Sequence, residues 1–238
     1  QFYRVDDTQR LDACLRLLYC QRPQAAVIFC NTRSETAELA RQLQQHGIDA
    51  LALHGDMEQR DRDQALMQLA NHSVVVLVAT DVAARGLDIS ALDLVINYRM
   101  ARDRETHTHR IGRTGRAGEQ GLACTLVDAD EQHRLALLLD QDIEPLPLPD
   151  APARPEPLQA AMVTLQMDGG KKQKIRPADI LGALTANPAI DGSQIGKIRV
   201  LPLSVTVAVR REIATVALAT LQQQPVKGRM RRVRRLRH

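Results

Sequence analysis

His109-Arg110-Ile111-Gly112-Arg113-Thr114-Gly115-Arg116-Ala117-Gly118 sets one histidine and three arginines among glycines at 112, 115 and 118. A guanidinium is planar, permanently charged and forked, so it matches phosphate oxygens better than other side chains do. Arg110, Arg113 and Arg116 recur at every third position, which on a helical turn points them roughly to one side. An arginine cluster by itself is usually a solvated basic face. The regular glycines argue against that here. Each costs a helix about 1 kcal/mol, and in return lets the backbone come close to a ligand.

Several elements must position such groups. Leu11, Leu15 and Leu18 recur at helical spacing, and Ala25–Cys30 is an apolar run expected to be a buried strand. Ser34 is the expected N-cap of a helix reaching about Gln45, with Gly47 as terminator. Strands are expected at 50–53, 74–79 and 122–127, and helices at 59–69 and 131–140. Strands alternating with helices imply a parallel sheet covered on both faces, with ligands at the carboxyl ends of its strands.

The net charge of +4 conceals an asymmetry. Residues 1–150 hold 16 Arg and no Lys against 23 acids, or −7; residues 151–238 hold 16 Lys+Arg against 5, or +11. A basic back half suits sequence-independent attraction to nucleic acid. With no signal-like start and no apolar run of about 18 residues, the chain reads as cytoplasmic, with no membrane partner. Cys14, Cys20, Cys30 and Cys124 lack CxxC spacing and read as mostly buried thiols. His107-x-His109 lacks further ligands at suitable spacing, so no metal is expected. The start lacks Met and reads as that of a fragment.

HRIGRTGRAG resembles motif VI of the DEAD-box RNA helicases. Phe29-Cys30-Asn31-Thr32-Arg33 resembles motif IV, His54-Gly55 with Gln59 and Arg62 the segment after it, and 79–89 (ATDVAARGLDI) motif V. The resemblance implies the second of two RecA-like lobes, the first being outside this chain. It casts Arg113 and Arg116 as arginine fingers toward the γ-phosphate, an effect worth about 10³–10⁵ in rate in related NTPases. His109 and Arg110 would couple the lobes and complete the catalytic set. Gly86 and Asp88 would contact ATP, Asp88 at the ribose. Asn31, Arg33, Gly55, Arg62, Thr80 and Arg85 would hold RNA phosphates and sugars. One departure is the run Arg99-Met100-Ala101-Arg102-Asp103-Arg104-Glu105, where the family has a proline soon after the tyrosine. No G-x-x-x-x-G-K-[ST] and no Asp-Glu-Ala-Asp occurs. ATP with Mg²⁺ would therefore be held mainly by the first lobe of the same protein, and this chain alone should not hydrolyse it.

Six prolines between Pro145 and Pro157, without glycine, make 144–160 an expected semi-rigid linker after a lobe of 1–143. Residues 161–238 then read strand, helix, strand, strand, helix, strand (162–167, 177–186, 195–201, 205–210, 212–222, 229–236), the ferredoxin-like plan of RRM domains. This stretch resembles the RNA-binding domain of the DbpA group of bacterial DEAD-box proteins. The resemblance implies a monomeric enzyme that binds a 23S rRNA hairpin and serves large-subunit assembly. All five aromatics precede residue 99, so base-stacking aromatics are ruled out and binding must rest on cations. The candidates are Lys171, Lys172, Lys174, Arg176, Lys197, Arg199, Arg210, Lys227, Arg229, Arg232 and Arg234, with Arg231, Arg235 and Arg237 in the same tail. Arg231 and Arg235 alternate with Val233, which fits only an edge strand whose arginines reach outward. A non-catalytic RNA-binding adaptor with a vestigial lobe is the rival reading.

Overall fold

The computed structural model describes residues 1–84, 92–114, 121–141 and 143–236. They form two compact units, Gln1–Ala70 with Val74–Gln159, and Asn71–Ser73 with Ala160–His238.

The first unit runs β1 (Phe2–Arg4), α1 (Arg10–Gln21), β2 (Ala26–Cys30), α2 (Arg33–Gln45), β3 (Ala50–Leu53), α3 (Gln59–Ala70) and β4 (Val76–Thr80). It continues with α4 (Asp81–Ala84), β5 (Leu94–Asn97), α5 (Arg104–Ile111), β6 (Leu122–Val127) and α6 (Ala129–Leu139). The strands form one parallel sheet in the order β1-β6-β5-β2-β4-β3. β2, β4 and β5 are buried along their whole length, which explains their unbroken Val, Ile, Leu and Ala runs.

Local chemistry sets the helix starts. Thr32, not Ser34, caps α2: its Oγ1 accepts from Glu35 N at 3.2 Å, and the helix begins one residue later. Asp128 Oδ1 accepts from Glu131 N at 2.8 Å and starts α6 at Ala129, two residues before the expected start. Buried Arg10 donates to Asp7 (2.8 Å), Asp128 (2.5 Å) and Glu131 (2.6 Å), and to the Tyr98 and Leu126 carbonyls, tying α1 to β5, β6 and α6. Burial alone would lower its pKa, but the bonds it donates to Glu131, Asp7 and Asp128 outweigh that and raise it. Three of the cysteines are buried as expected. Cys20 is exposed, and burial pushes the Cys124 thiol up to about 11.

The proline-rich segment is not a free spacer. Leu146 pairs with edge strand β1, its N–H donating to Phe2 O at 2.8 Å and its carbonyl accepting from Arg4 N at 2.9 Å. Leu158 bonds the chain entering β3 at the opposite edge, donating to Gly47 O (3.1 Å) and accepting from Asp49 N (3.0 Å). One extended strap thus attaches to the first unit at both margins of its sheet.

The second unit runs β7 (Met162–Asp168), α7 (Pro177–Thr185), β8 (Ile195–Val200), β9 (Ser204–Arg210), α8 (Ala214–Gln223) and β10 (Val233–Arg235). Its antiparallel sheet has the order β10-β7-β9-β8. Alternate residues Val163, Leu165, Met167, Val205, Val207 and Val209 pack under Ile180, Leu184, Ala217 and Leu221. β10 is an edge strand, shorter than 229–236, with Val233 buried and Arg235 exposed. Arg231 lies before it, half-buried.

Candidate functional site

Three central strands end side by side, and each delivers a polar group to the same point. Asn31 follows β2, Asp81 follows β4, and Asn97 closes β5. Arg110, on α5 and only 1% exposed, enters among them. Its Nε and Nη2 bind Asp81 Oδ1 and Oδ2 at 2.6 and 2.8 Å. Nη1 donates to Asn97 Oδ1 (3.2 Å) and to the Arg99 carbonyl (2.8 Å), and Nη2 also to Asn31 Oδ1 (3.0 Å). The guanidinium carbon lies 5.1 Å from the centre of the Phe29 ring. A guanidinium has five N–H donors, and these bonds engage all of them. Arg110 therefore has no donor left for a nucleotide or another lobe. It locks α4 and α5 onto the strand ends, and the expected role as a lobe coupler becomes one of positioning.

The same network redefines Asn31. Its Oδ1 accepts from Arg110 and its Nδ2 donates to Met100 O at 3.2 Å, so the amide is oriented by the lobe while one N–H and one lone pair remain.

Arg110 and Arg113 do not share one helical face. Asp103 caps α5 by accepting from Thr106 N at 2.7 Å, and the helix ends at Ile111. Arg113 lies in the turn beyond, its backbone held by the Leu92 N–H at 3.4 Å and a bridge from Leu92 to Thr114. His109 is exposed. Arg113 and His109 line, with Phe29, Asp81, Glu105 and Arg110, a cavity of about 530 Å³. Asp103 also lines it, so its wall carries both signs, Arg113 and His109 on the one hand and Asp103 and Glu105 on the other, in a mixed polar rim of the strand ends. Arg116, Gly86, Asp88 and Arg85 lie outside the described residues, as does Arg237 in the tail.

Other expected RNA contacts are partly engaged. Arg33 is ion-paired with Asp56 at the surface. Arg62 donates to Ala83 O at 3.3 Å, while its buried Nε has no partner among the described residues. Gly55 is exposed with open space around it, and Thr80 is 8% exposed at the end of β4. Arg99, left without a role from the sequence, binds Glu35 at 2.7 Å and also Asp7, and Asp7 is held below the usual carboxylate range by Arg99 first and Arg10 second. Asp81 and Asn97 were missed as functional residues. A polar residue ending the apolar run of β5 was the available signal.

His107 is buried, stacked on Phe2 at 6.0 Å, with no partner for Nδ1 among the described residues. Burial first, and the Arg110 charge second, depress its pKa.

In the second unit the structure sorts the basic residues by position. Lys171 and Lys172 stand exposed on a 3-10 turn, Lys174 follows in the left-handed region (φ 57), and Arg176 precedes α7. Lys227 pairs with Asp179 at 3.1 Å, and Arg229 and Arg232 are exposed nearby in sequence. Arg234 binds Gln166 through two nitrogens at 3.2 and 2.8 Å. Lys197 and Arg199 lie exposed on edge strand β8, and Arg210 at the far end of β9, opposite Met162.

Such a parallel lobe, with an arginine signature at its strand ends and a separate α+β domain, defines the C-terminal part of a helicase. Family models agree: that for the helicase conserved C-terminal domain matches residues 9–118, and that for the DbpA RNA binding domain 164–235. The chain is 48% identical to the ATP-dependent RNA helicase DbpA of Escherichia coli, over 99% of this chain and 52% of that protein. It is 31% identical to DbpA of Bacillus subtilis, over 97% of this chain and 53% of that one. The solved structure of the E. coli DEAD-box protein SrmB matches with a TM-score of 0.55 at 36% identity, over 64% of this chain and 96% of that one. The chain belongs to the DEAD-box RNA helicase family. It spans about half the length of the curated relatives it matches.

Proposed function

We propose that this chain is the C-terminal part of an ATP-dependent RNA helicase, joining the second RecA-like lobe to an RNA-binding domain. The observation that carries the reading is the Arg110 lock. It fixes the end of α5 so that Arg113 stands beside an open cavity at the strand ends, where ligands of parallel α/β sheets bind. Arg113, together with Arg116, would neutralise charge on the phosphoryl oxygens of ATP. ATP and Mg²⁺ would be held mainly by the first lobe, and Asp88 and Gly86 would contact the nucleotide from this one. Arg33, Gly55, Arg62, Thr80 and Arg85 would face RNA.

The test supplies a first RecA-like lobe in trans. RNA-stimulated ATPase should appear and should fall by about 10³-fold in Arg113→Ala. A competent first lobe that never gains ATPase activity would leave the adaptor reading in its place.

The second unit would tether the enzyme to a 23S rRNA hairpin during large-subunit assembly in the cytoplasm, as a monomer. Supporting this are the RNA-binding family match and the excess of 16 cations over 5 acids in residues 151–238. Discrimination between that hairpin and a scrambled one, surviving a rise in salt, is the expected result. Equal affinities that collapse together would leave only a basic tether.

A further inference from the structure

The second unit has no Phe, Tyr or Trp, yet Leu181, Leu203, Val216 and Met230 stand exposed on it, and the two most exposed of these lie beside its cations. Leu203 is 61% exposed at the turn between β8 and β9, and Met230 is 58% exposed between Arg229 and Arg231. Both belong to loops gathered at one corner, where β7 ends.

Backbone bonds knit that corner together. Gly169 N donates to Leu203 O (2.8 Å), Lys171 N to Leu201 O (2.9 Å), Lys172 N to Pro202 O (3.1 Å), and Asp168 N to Arg232 O (2.9 Å). Gly169 adopts φ +96, and a Cβ there would lie 2.8 Å from Arg231 Nη1. A Cβ on Gly170 would lie 2.0 Å from Leu201 O, so only glycine allows the lysine loop to sit this close to the β8–β9 turn. Arg231 Nε is buried there without a partner among the described residues. The nearby carboxylates are Asp168 and Asp179, and Asp179 already accepts from Arg176 N (2.8 Å) and pairs with Lys227.

We propose that this corner binds an unpaired nucleotide of the RNA, with Leu203 and Met230 covering the base while Lys171, Lys172 and Arg232 hold the flanking phosphates. The inference rests on the RNA-binding reading of the second unit and deepens it. A base face gains from apolar contact. Aliphatic and thioether groups supply it where aromatics are missing, and a polarisable sulfur is well suited to a ring. A duplex hides its base faces, so the apolar pair should act only on single-stranded positions, whereas the lysines should act on both.

The test uses the full chain with two RNAs, a hairpin bearing a single-stranded loop and flank, and a blunt duplex of the same composition. Leu203→Ser and Met230→Ser should each weaken the hairpin about three- to tenfold and leave the duplex and the salt slope unchanged. Lys171→Gln should weaken both RNAs and lower the salt slope by about 1. Leu137→Ser, a still more exposed leucine of the first unit (71%), serves as the control and should change the binding of neither RNA. Matching melting curves would confirm that the variants fold, as expected for exposed side chains. If both serine variants bind the hairpin like the parent, or lose hairpin and duplex alike, the apolar pair does not read a base and the corner is left for a protein partner. If the parent binds neither RNA, the RNA-binding reading fails first and takes this inference with it.

Discussion

The two units use arginine in opposite ways. In the first, Arg10, Arg99 and Arg110 turn inward and are matched by Asp7, Glu35, Asp81, Asp128 and Glu131. In the second, four carboxylates in residues 160–238 cannot neutralise fifteen cations, and most of the described cations among them stand exposed. The inward arginines hold geometry, and their removal leaves buried Glu131 and the partly buried Asp81, Asp128 and Glu35 uncompensated. Of the outward ones, Lys227 pairs with Asp179 and Arg234 with Gln166, and their exposed positions leave the group accessible to a polyanion. Local charge count, more than residue type, decides which work an arginine does.

The sharpest way to break this contrast is Arg110→Ala. It strands Asp81 against the strand ends and should cost about 3–5 kcal/mol, read as a lower urea midpoint of the first unit. A cost near zero would mean that the five bonds position nothing. Gly170→Ala comes next, since its Cβ meets Leu201 O at 2.0 Å. A loss of about 1–3 kcal/mol is expected in the second unit, and an unchanged melting curve would show that the lysine loop can move aside.

Gly182→Ala tests the opposite sign. This glycine lies inside α7 with open space around it, so alanine should stabilise by about 0.5–1 kcal/mol. A smaller effect concerns His107. Its folded pKa is depressed, so the unfolded chain binds the extra proton, and stability falls as pH drops below the ordinary value of 6.5. Urea midpoints at pH 7.5 and 5.5 should differ more for the parent than for His107→Gln. Equal differences would exclude His107 as the source. Asp7, also depressed, acts only in a lower window, near and below its ordinary value of 3.8.

Much of this was legible in the sequence, for identifiable reasons. β2, β3 and β6 announce themselves as apolar runs bounded by polar or glycine residues, and the second unit's element order follows from alternation and turn residues. β1 is only three residues long, too short for a period to show, and the apolar run of β5 is cut short by Asp93 before it and Asn97 at its end. In the candidate site, the arginine signature and the strand-end loops were visible. The error lay in continuing a helix through Gly112, which set Arg110 and Arg113 on one face. That Arg110 points inward depends on Asp81 and Asn97, brought near by sheet order, and no local pattern encodes sheet order. Thr32 displaced Ser34 as cap because both hydroxyls were available and the backbone chose the earlier.

The proline strap has a consequence for how this protein coexists with itself. A parallel sheet presents unpaired N–H and C=O groups at its outermost strands, and these invite pairing with a neighbouring chain. Here Leu146 occupies one margin and Leu158 the approach to the other. The intervening prolines lack N–H groups, so the covering segment offers few donors with which to extend the sheet. A single stretch of chain thereby pairs with the β1 margin of the sheet and with the segment leading into β3, the two places where it holds backbone groups that a neighbouring chain would otherwise use.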